Sequence, residues 1–461
     1  MNLESLYRRS PLWLQTLAVS GMGMRLRMLR YGGIHVRTLA ELRRSQWLSS
    51  EALRELQCQR LSDTLRMAYE DVPFYRERWG DAPRLRSLDD LSALPTVSKS
   101  DLQAPREVVT ARRFGGSRLQ EVHTGGTTGK TLTIHCTPDV LRVNYAFFAR
   151  LRDWAGIPVT GRVATFAGRV IVPPEQLEPP FWRYNLASRQ LLCSSYHLSE
   201  RTLPAYVKAL TEFRPSLIDA YPSSIEPLAR FILEHGIRTI RPRAIITSSE
   251  TLAPEVRAVV SEAFEAPVFD HYGAAEMAAF VTQCEHGSYH PNPEFGIVEV
   301  LQDDRPAVPG EIGEVVATGF INPVMPLIRY RTGDLAVASD RTCACGRAFP
   351  VLDGIVGRLD DVVVTPEGRR IGRLDPIFKC VSSLREARIL QDAEDHVTIE
   401  VVVPRGLPDA ERRELVHQAS LRLGPSMRVD VTTVDAIPRT RAGKLRMVEN
   451  RVSPRRHATL S

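Results

Sequence analysis

Residues 124–131, TGGTTGKT, concentrate three glycines, four threonines and one lysine in a short turn. Glycine backbone allows close approach to a ligand, while hydroxyls and an ammonium group donate hydrogen bonds to phosphate oxygens. A kinase-type P-loop is excluded, because its first glycine position holds Thr124 and a strand-like alternation follows the lysine. An ordinary hairpin turn is the alternative. We predict a polyphosphate-binding loop between two strands, formed by Thr124, Gly125, Gly126, Thr127, Thr128, Gly129 and Lys130.

A second set of residues has the chemistry of a metal site. Cys284 and His290 lie in the turn CEHGSYH, and Cys343 and Cys345 lie in CACGR. Three thiolates and one imidazole form a tetrahedral zinc set, and four protein ligands would close the site and make it structural. His286 is a rival for His290, and two turns with ordinary buried cysteines are the alternative.

Composition limits the class of protein. With 461 residues the chain exceeds one hydrophobic core, and its 43% hydrophobic and 25% charged residues are typical of a globular protein. The net charge of +6 arises from 60 basic and 54 acidic residues that are interspersed, which makes no case for nucleic acid. Seven cysteines without a signal peptide predict a reducing cytoplasm.

The elements that must position these residues follow a clear order. Residues 1–95 have a helical pattern, and we predict a helical segment packed on the main domain. Strands running into polar turns alternate with helices over the middle of the chain, which predicts an α/β architecture with ligand groups at strand ends. We expect a large domain to continue over 96–359 and a small α+β domain to occupy 360–461, with a helix over Asp409 to Leu423.

The apolar run from Pro11 to Met24 is too short to span a bilayer, and Arg25, Arg27 and Arg30 follow it. A helix packed on the main domain and a basic amphipathic surface helix are the two interpretations of this run, of which packing is favoured.

Five motifs in order carry a resemblance to a family. TGGTTGK is followed by YGAAE at 272–276, RTGD ending at Asp334, GRLDD and PRTRAGK ending at Lys444. The chain resembles the adenylate-forming enzymes, most closely the phenylacetate–CoA ligase branch with its CapK-like proteins. The resemblance implies an α/β fold, in which a large multi-layer adenylation domain precedes a small mobile α+β domain.

The resemblance also implies roles for residues. It assigns catalysis to Lys444, Glu276 and Lys130, with Glu276 as the Mg²⁺ ligand and Lys444 bridging the carboxylate and the α-phosphate. It places a hinge at Asp360 and favours His290 over His286 as a metal ligand. ATP contacts beyond the phosphate loop are assigned to Ser249, Glu250, Tyr272, Gly273, Asp334 and Arg358.

Ordinary structural roles remain open for several of these residues. Glu276 has the alternative of a helix N-terminal glutamate, Asp334 that of a turn residue and Tyr272 that of a core tyrosine. Glu250 has the alternative of a capping-box residue.

Strand-end turns before Tyr272 supply the predicted acyl pocket. Its aromatic, histidine and arginine content favours an aryl or small polar acid over a long fatty acid. The pocket residues are Gly168, Arg169, Tyr196, His197, Tyr221 and His271.

The expected activity is ATP-dependent formation of acyl-AMP with release of pyrophosphate, followed by transfer to a thiol, with CoA as the favoured acceptor. ATP, Mg²⁺, CoA and a structural Zn²⁺ are the expected cofactors, and an oligomer is possible. Transfer to a carrier protein acting in trans, or to an amine, is the alternative, and a zinc-stabilised scaffold without catalysis is a third hypothesis.

Overall fold

The computed structural model describes residues 6–7, 10–85, 87–123, 132–158, 160–168, 170–173, 175–250, 252–356, 363–367, 370–371, 374–378, 381, 383–384, 386–403, 406–438 and 447–452. Its α-helices are α1 Leu12–Arg30, α2 Gly33–Ser45, α3 Ser50–Asp71, α4 Pro73–Trp79, α5 Arg106–Val109, α6 Pro138–Trp154, α7 Leu203–Phe213, α8 Pro222–Glu234, α9 Pro254–Phe264 and α10 Asp409–Leu423.

The N-terminal segment forms helices because its start signals are strong and its apolar residues recur on one face. The Ser49 side chain accepts a hydrogen bond from the Ala52 backbone N–H at 3.2 Å and caps α3. Pro73 begins α4, where its missing N–H removes no helical hydrogen bond. Leu61, Leu65 and Ala68 of α3 are buried in the main core.

The first eleven strands are β1 Gln120–His123, β2 Thr133–Cys136, β3 Val163–Ala167, β4 Trp182–Asn185, β5 Gln190–Ser194, β6 Leu217–Ala220, β7 Ala244–Ser248, β8 Val268–Gly273, β9 Phe280–Gln283, β10 Tyr289–Pro291 and β11 Gly296–Gln302. The later strands are β12 Arg305–Pro306, β13 Ile312–Gly319, β14 Tyr330–Ala338, β15 Leu352–Ile355, β16 Val363–Val364, β17 Arg370–Ile371, β18 Glu386–Ala393, β19 His396–Val402, β20 Arg428–Thr433 and β21 Val448–Asn450.

One sheet of 13 strands organises the molecule, in the order β12-β11-β13-β14-β15-β10-β9-β8-β7-β6-β3-β5-β4. Its parallel part comprises β5, β3, β6, β7 and β8, whose short apolar strands are covered by helices. Because the carboxyl ends of parallel strands meet at one edge, the polar turns after β3, β6, β7 and β8 lie together.

The other part of this sheet is antiparallel and explains how distant turns meet. β10 pairs with β9 on one side and with β15 on the other, while β15 also pairs with β14. The β9–β10 hairpin and the loop between β14 and β15 are therefore neighbours.

A smaller four-stranded sheet of order β20-β19-β18-β21 follows towards the C-terminus. Helix α10 covers it with Leu415, Ala419 and Leu423, and it spans the predicted range Asp409–Leu423. The prediction of an α/β protein with a large sheet and a smaller C-terminal α+β unit is confirmed. Among the described residues, we find no helix with the length and apolar character needed to cross a bilayer.

Candidate functional site

Two tyrosine–carboxylate pairs lie where β8 ends. The Tyr272 hydroxyl donates to Asp334 Oδ2 at 3.0 Å, and the Tyr330 hydroxyl donates to Glu276 Oε1 at 3.2 Å. Glu276 lies in the turn after β8 and not at the start of a helix, which removes the helix N-terminus as an explanation of this residue. Asp334 lies on β14, just after Gly333, whose φ of 75° favours glycine.

The two carboxylates influence each other. Burial raises the pKa of Glu276 above its usual range, and the Asp334 charge adds to the rise, while a backbone hydrogen bond, Lys99 and the Tyr330 hydroxyl oppose it. Two partly buried carboxylates near each other form a region of negative potential, which a divalent cation would neutralise. Lys99 and Tyr330 were not predicted as site residues from the sequence. Lys99 had one available signal, since it is one of only five lysines in the chain.

Glu250 has a defined structural role. Its Oε2 accepts from the Ser223 backbone N–H at 2.8 Å, and its Oε1 accepts from the Ser223 hydroxyl at 2.8 Å. This carboxylate thus caps the first turn of α8, a helix of another part of the chain. Ser249, beside it, has a φ of 70°, which is uncommon for a residue other than glycine. Neither observation establishes a contact with adenine, which stays a prediction.

The predicted acyl-pocket residues lie at the same sheet edge but in different surroundings. The Tyr196 hydroxyl donates to the Gly168 carbonyl at 2.6 Å, and its ring packs into the core of the C-terminal sheet with Val363 and Ile371. His197 Nδ1 lies 2.7 Å from the Ser194 hydroxyl. Tyr221 precedes α8 at its N-cap position.

His271 differs from these residues because it is enclosed by aromatic rings. Its ring centroid lies 5.0 Å from that of Phe148 and 4.4 Å from that of Phe280. Burial lowers the pKa of His271 to about 3, so the imidazole is neutral at physiological pH. Its Nε2 has no hydrogen-bond partner among the described residues. A neutral imidazole with a spare nitrogen in an aromatic environment suits a ligand with a polar substituent.

The four predicted metal ligands lie close together in the antiparallel part of the large sheet. One ligand atom from each of Cys284, His290, Cys343 and Cys345 lies within 4.8 Å of all the others. Cys284 follows β9, His290 lies on β10, and the two remaining cysteines lie in the loop between β14 and β15. The strand order described above is what brings these turns together. The structure places His290, and not His286, in this cluster.

The distances in the cluster match a tetrahedral zinc centre. Cys284 Sγ and Cys343 Sγ are 3.6 Å apart, and Cys345 Sγ is 3.5 Å from His290 Nε2. With Zn–S near 2.3 Å and Zn–N near 2.0 Å, tetrahedral angles require an S–S separation of about 3.8 Å and an S–N separation of about 3.5 Å. A disulfide is excluded at the first distance, since its sulfurs are about 2.0 Å apart.

Contacts around the cluster orient its ligands. His290 Nδ1 lies 3.0 Å from the Pro350 carbonyl, which fixes this nitrogen as the donor and leaves Nε2 as the ligand atom. Gly287 and Gly346, with φ of 77° and 78°, close the turns after Cys284 and Cys345. Burial, together with the neighbouring thiols, raises the pKa of Cys284 to about 12. A bound cation would reverse this preference for the neutral thiol.

A buried ion pair fastens the helices beside this cluster. Arg150 on α6 donates to Glu294 Oε1 at 2.7 Å and Oε2 at 3.0 Å, and both side chains are 1% exposed. Ser45 at the end of α2 donates to the same carboxylate. These residues were not predicted from the sequence, because an isolated arginine and glutamate 144 positions apart give no local signal.

Several predicted residues lie outside the described part of the chain. They are the phosphate-loop residues Thr124, Gly125, Gly126, Thr127, Thr128, Gly129 and Lys130, and also Arg169, Arg358, Asp360 and Lys444. The strands that flank the phosphate loop are described, and β1 pairs antiparallel with β2 from Gln120 opposite Cys136 to His123 opposite Thr133.

Comparisons with known proteins agree with this arrangement. Residues 363–451 match the family model of the CapK C-terminal domain. The chain is 26% identical to Protein CapK of Staphylococcus aureus over 98% of its own length and 100% of that protein. It is also 26% identical to phenylacetate-coenzyme A ligase of Thermus thermophilus, over 87% of this chain and 97% of that one.

A solved structure shares the fold. The structure of 2-hydroxyisobutyryl-CoA ligase, in complex with 2-HIB-AMP and CoA in the thioesterification state, superposes with a TM-score of 0.56. It is 23% identical and covers 88% of this chain and 91% of that one. These comparisons agree with the predicted resemblance: the chain has homologues named CapK and phenylacetate-coenzyme A ligase, and it shares the fold of a solved acyl-CoA ligase.

Proposed function

We propose that this chain activates a carboxylic acid with ATP to form acyl-AMP and pyrophosphate, and then transfers the acyl group to the thiol of coenzyme A. In the first step a carboxylate oxygen attacks the α-phosphorus, and the bond from that phosphorus to the bridging oxygen of pyrophosphate breaks. In the second step the thiol sulfur attacks the acyl carbon, and AMP leaves. The names of the phenylacetate–CoA ligase relatives support this reaction class.

The observation that carries the proposal is the pair of carboxylates at the end of β8. Glu276 would hold Mg²⁺, and the ion would neutralise phosphate charge. The Tyr272 hydroxyl donates to one Asp334 oxygen and orients the carboxylate. Asp334 would accept hydrogen bonds from the ribose hydroxyls. Tyr272 would lie against adenine next to Gly273, which is exposed at the end of β8.

The remaining catalytic assignments rest on motif positions. The loop over 124–130 would bind the β- and γ-phosphates with Lys130. Lys444 would bridge the carboxylate and the α-phosphate, where charge develops in the transition state. We place the boundary between the large and small domains at 359/360, with Asp360 as the hinge beside Arg358, so that one site can serve both half-reactions.

The surroundings of His271 support an aryl or small polar acid. Phe148 and Phe280 offer aromatic surfaces, and the neutral imidazole offers one hydrogen-bonding nitrogen. Arg169, Tyr196, His197, Tyr221 and Gly168 complete the proposed pocket.

We assign the Cys284, His290, Cys343 and Cys345 cluster to a structural Zn²⁺. Four protein ligands leave no open coordination position, so the metal would join the β9–β10 hairpin to the β14–β15 loop and take no part in the reaction.

Carboxylate-dependent pyrophosphate release tests the proposed function. ATP and Mg²⁺ are supplied with aryl, hydroxy, amino and fatty acids, with and without CoA. With a cognate acid, Lys444→Ala should lower the release rate at least about 100-fold while ATP binding by calorimetry is retained. Lys208→Ala, which changes an exposed lysine on α7, is the matched control and should act as wild type.

The reactions run with and without CoA identify the acyl acceptor. Consumption of CoA with formation of its thioester supports transfer to CoA, and adenylation without it would contradict that half of the proposal. Wild-type ATP binding without pyrophosphate release for any acid would contradict the proposed adenylation.

A further inference from the structure

Helix α1 leaves an apolar stripe exposed. Trp13 is 65% exposed, Leu17 52%, Met24 49% and Met28 62%. At 100° per residue these four positions fall within about 60° of arc, so they form one continuous face of the helix. Monomeric proteins rarely expose a contiguous row of large apolar side chains, and such a row indicates an interaction surface.

Other positions of α1 contact the rest of the molecule and hold the helix in place. Arg183 Nε donates to the buried Gln15 Oε1 at 2.7 Å. The Ser20 hydroxyl accepts from the Leu186 backbone N–H at 3.1 Å. At Gly23 an added Cβ would overlap the Asn185 side chain, which shows how closely the helix backbone approaches the sheet. The helix is therefore fixed with its apolar stripe facing solvent.

The charged residues along this part of the sequence have one sign. Between Glu4 and Glu41 the sequence has no acidic residue, whereas it has six arginines: Arg8, Arg9, Arg25, Arg27, Arg30 and Arg37. Arg27 donates to the Ala187 carbonyl at 2.8 Å, and Arg30 lies over the Tyr145 ring. Arg25 is exposed and has no hydrogen bond or ion pair with any described residue.

We propose that the face of α1 formed by Trp13, Leu17, Met24, Met28 and Arg25 binds an anionic lipid surface. Tryptophan and methionine side chains would enter the boundary between headgroups and acyl chains, while the arginines would contact lipid phosphates. Trp13 suits this position because indole is amphipathic and is enriched at membrane interfaces.

The charge pattern favours lipid over a second copy of this chain. A two-fold contact through the stripe would bring the same surface of both copies together, and with it two sets of arginines. The like charges would repel each other in a poorly hydrated interface, whereas anionic headgroups would neutralise them.

Vesicle flotation with the full chain tests this proposal. We expect binding to vesicles of phosphatidylcholine with one part in three phosphatidylglycerol, weak binding to phosphatidylcholine alone, and weakening with added salt. Leu17→Gln with Met24→Gln should lower the partition coefficient at least about tenfold, and Arg25→Glu about tenfold.

Exposed sites elsewhere supply the controls. Ile312→Gln changes a side chain that is 50% exposed on β13, and Arg413→Glu changes an exposed arginine on α10. Both should bind vesicles as wild type does, and all variants should keep the wild-type melting temperature and adenylation rate.

Three outcomes would overturn the proposal. These are absence of binding to the anionic vesicles, equal binding to both vesicle types, and equal losses in the control variants. Sedimentation equilibrium tests the alternative that a second copy of this chain binds the stripe. Self-association that Leu17→Gln abolishes, together with absence of vesicle binding, would support that alternative.

Discussion

Two clusters of possible metal ligands lie on the same large sheet, and they differ in how many ligand positions around a cation the protein would fill. The Cys284–His290–Cys343–Cys345 cluster offers four soft ligands at tetrahedral spacing. The Glu276–Asp334 pair offers hard oxygens, and Tyr272 and Tyr330 occupy part of their hydrogen-bonding capacity. A closed soft set suits a structural zinc, whereas two carboxylates leave coordination positions for water and phosphate oxygens. Under the proposed function, this difference would separate a metal site that stabilises the fold from a site that is completed by substrate.

The largest expected effect falls on catalysis. Glu276→Gln removes the proposed Mg²⁺ ligand while keeping side-chain volume, and we expect kcat/KM for acid-dependent pyrophosphate release to fall about 100- to 1000-fold. Steady-state kinetics over a range of Mg²⁺ concentrations measures this, and metal analysis should find the zinc content unchanged. The control is Glu311→Gln, which changes a half-buried carboxylate paired with Arg305. A variant within threefold of wild type would contradict the role of Glu276.

Removing a proposed zinc ligand should instead lower the thermal stability of the protein. Cys343→Ser should release zinc and lower Tm by at least about 5 °C, because losing a structural metal is among the most destabilising single changes. The folded fraction at low temperature should keep adenylation within about threefold, since a closed site does not touch substrate.

Variants of His290 and His286 test which histidine binds the proposed zinc. His290→Ala should lose zinc as Cys343→Ser does, whereas His286→Ala should keep it, and elemental analysis of purified proteins distinguishes them. Zinc retained by both cysteine and His290 variants would mean that these residues are not its ligands.

A smaller effect is expected from Tyr272→Phe. The change keeps the ring for adenine and removes only the hydroxyl that donates to Asp334. Losing one hydrogen bond to a charged group should raise KM for ATP about 10-fold, with a lesser change in kcat. If kcat fell while KM stayed constant, Asp334 would act in the chemical step and not in ribose binding.

The smallest effect concerns pH and stability. Burial and the Asp334 charge raise the pKa of Glu276, so the folded state disfavours its ionised form. This destabilisation is absent below the unfolded-state pKa, about 4.3, grows as pH rises from there to the folded-state pKa, and is fully present above the folded-state pKa. Without Mg²⁺, Glu276→Gln should therefore be more stable than wild type at pH 8, with a smaller gain near pH 5. Urea unfolding at both pH values measures this, and a gain larger at pH 5 would contradict the sign.

Local patterns predicted much of the architecture. The helix over Asp409–Leu423, the strand pair around the phosphate loop and the α/β alternation follow from periodicity and turn residues, which act over short distances. The order and spacing of five motifs were enough to predict homologues among the CapK proteins and phenylacetate–CoA ligases. The roles assigned to Lys130, Asp360 and Lys444 stay predictions.

Other features depended on which strands become neighbours. The sequence left His286 and His290 open, and the pairing of β10 with β15 brings His290 to the two cysteines of the β14–β15 loop. Glu250 was expected near adenine or in a capping box of its own, and it caps α8 through Ser223. The two cysteines are more than 50 positions from His290, and Ser223 is 27 positions from Glu250, so no local sequence pattern could reveal these contacts.

The sequence by itself determined the α/β class, the order of motifs and the donor types of both clusters, because these depend on composition and spacing along the chain. Only the tertiary structure decided that Tyr272 meets Asp334, that Tyr330 meets Glu276, and that α1 turns Trp13 to solvent. These contacts join residues dozens of positions apart or depend on which face of a helix packs, and the free energy that selects them comes from burying the whole sheet and its helices together.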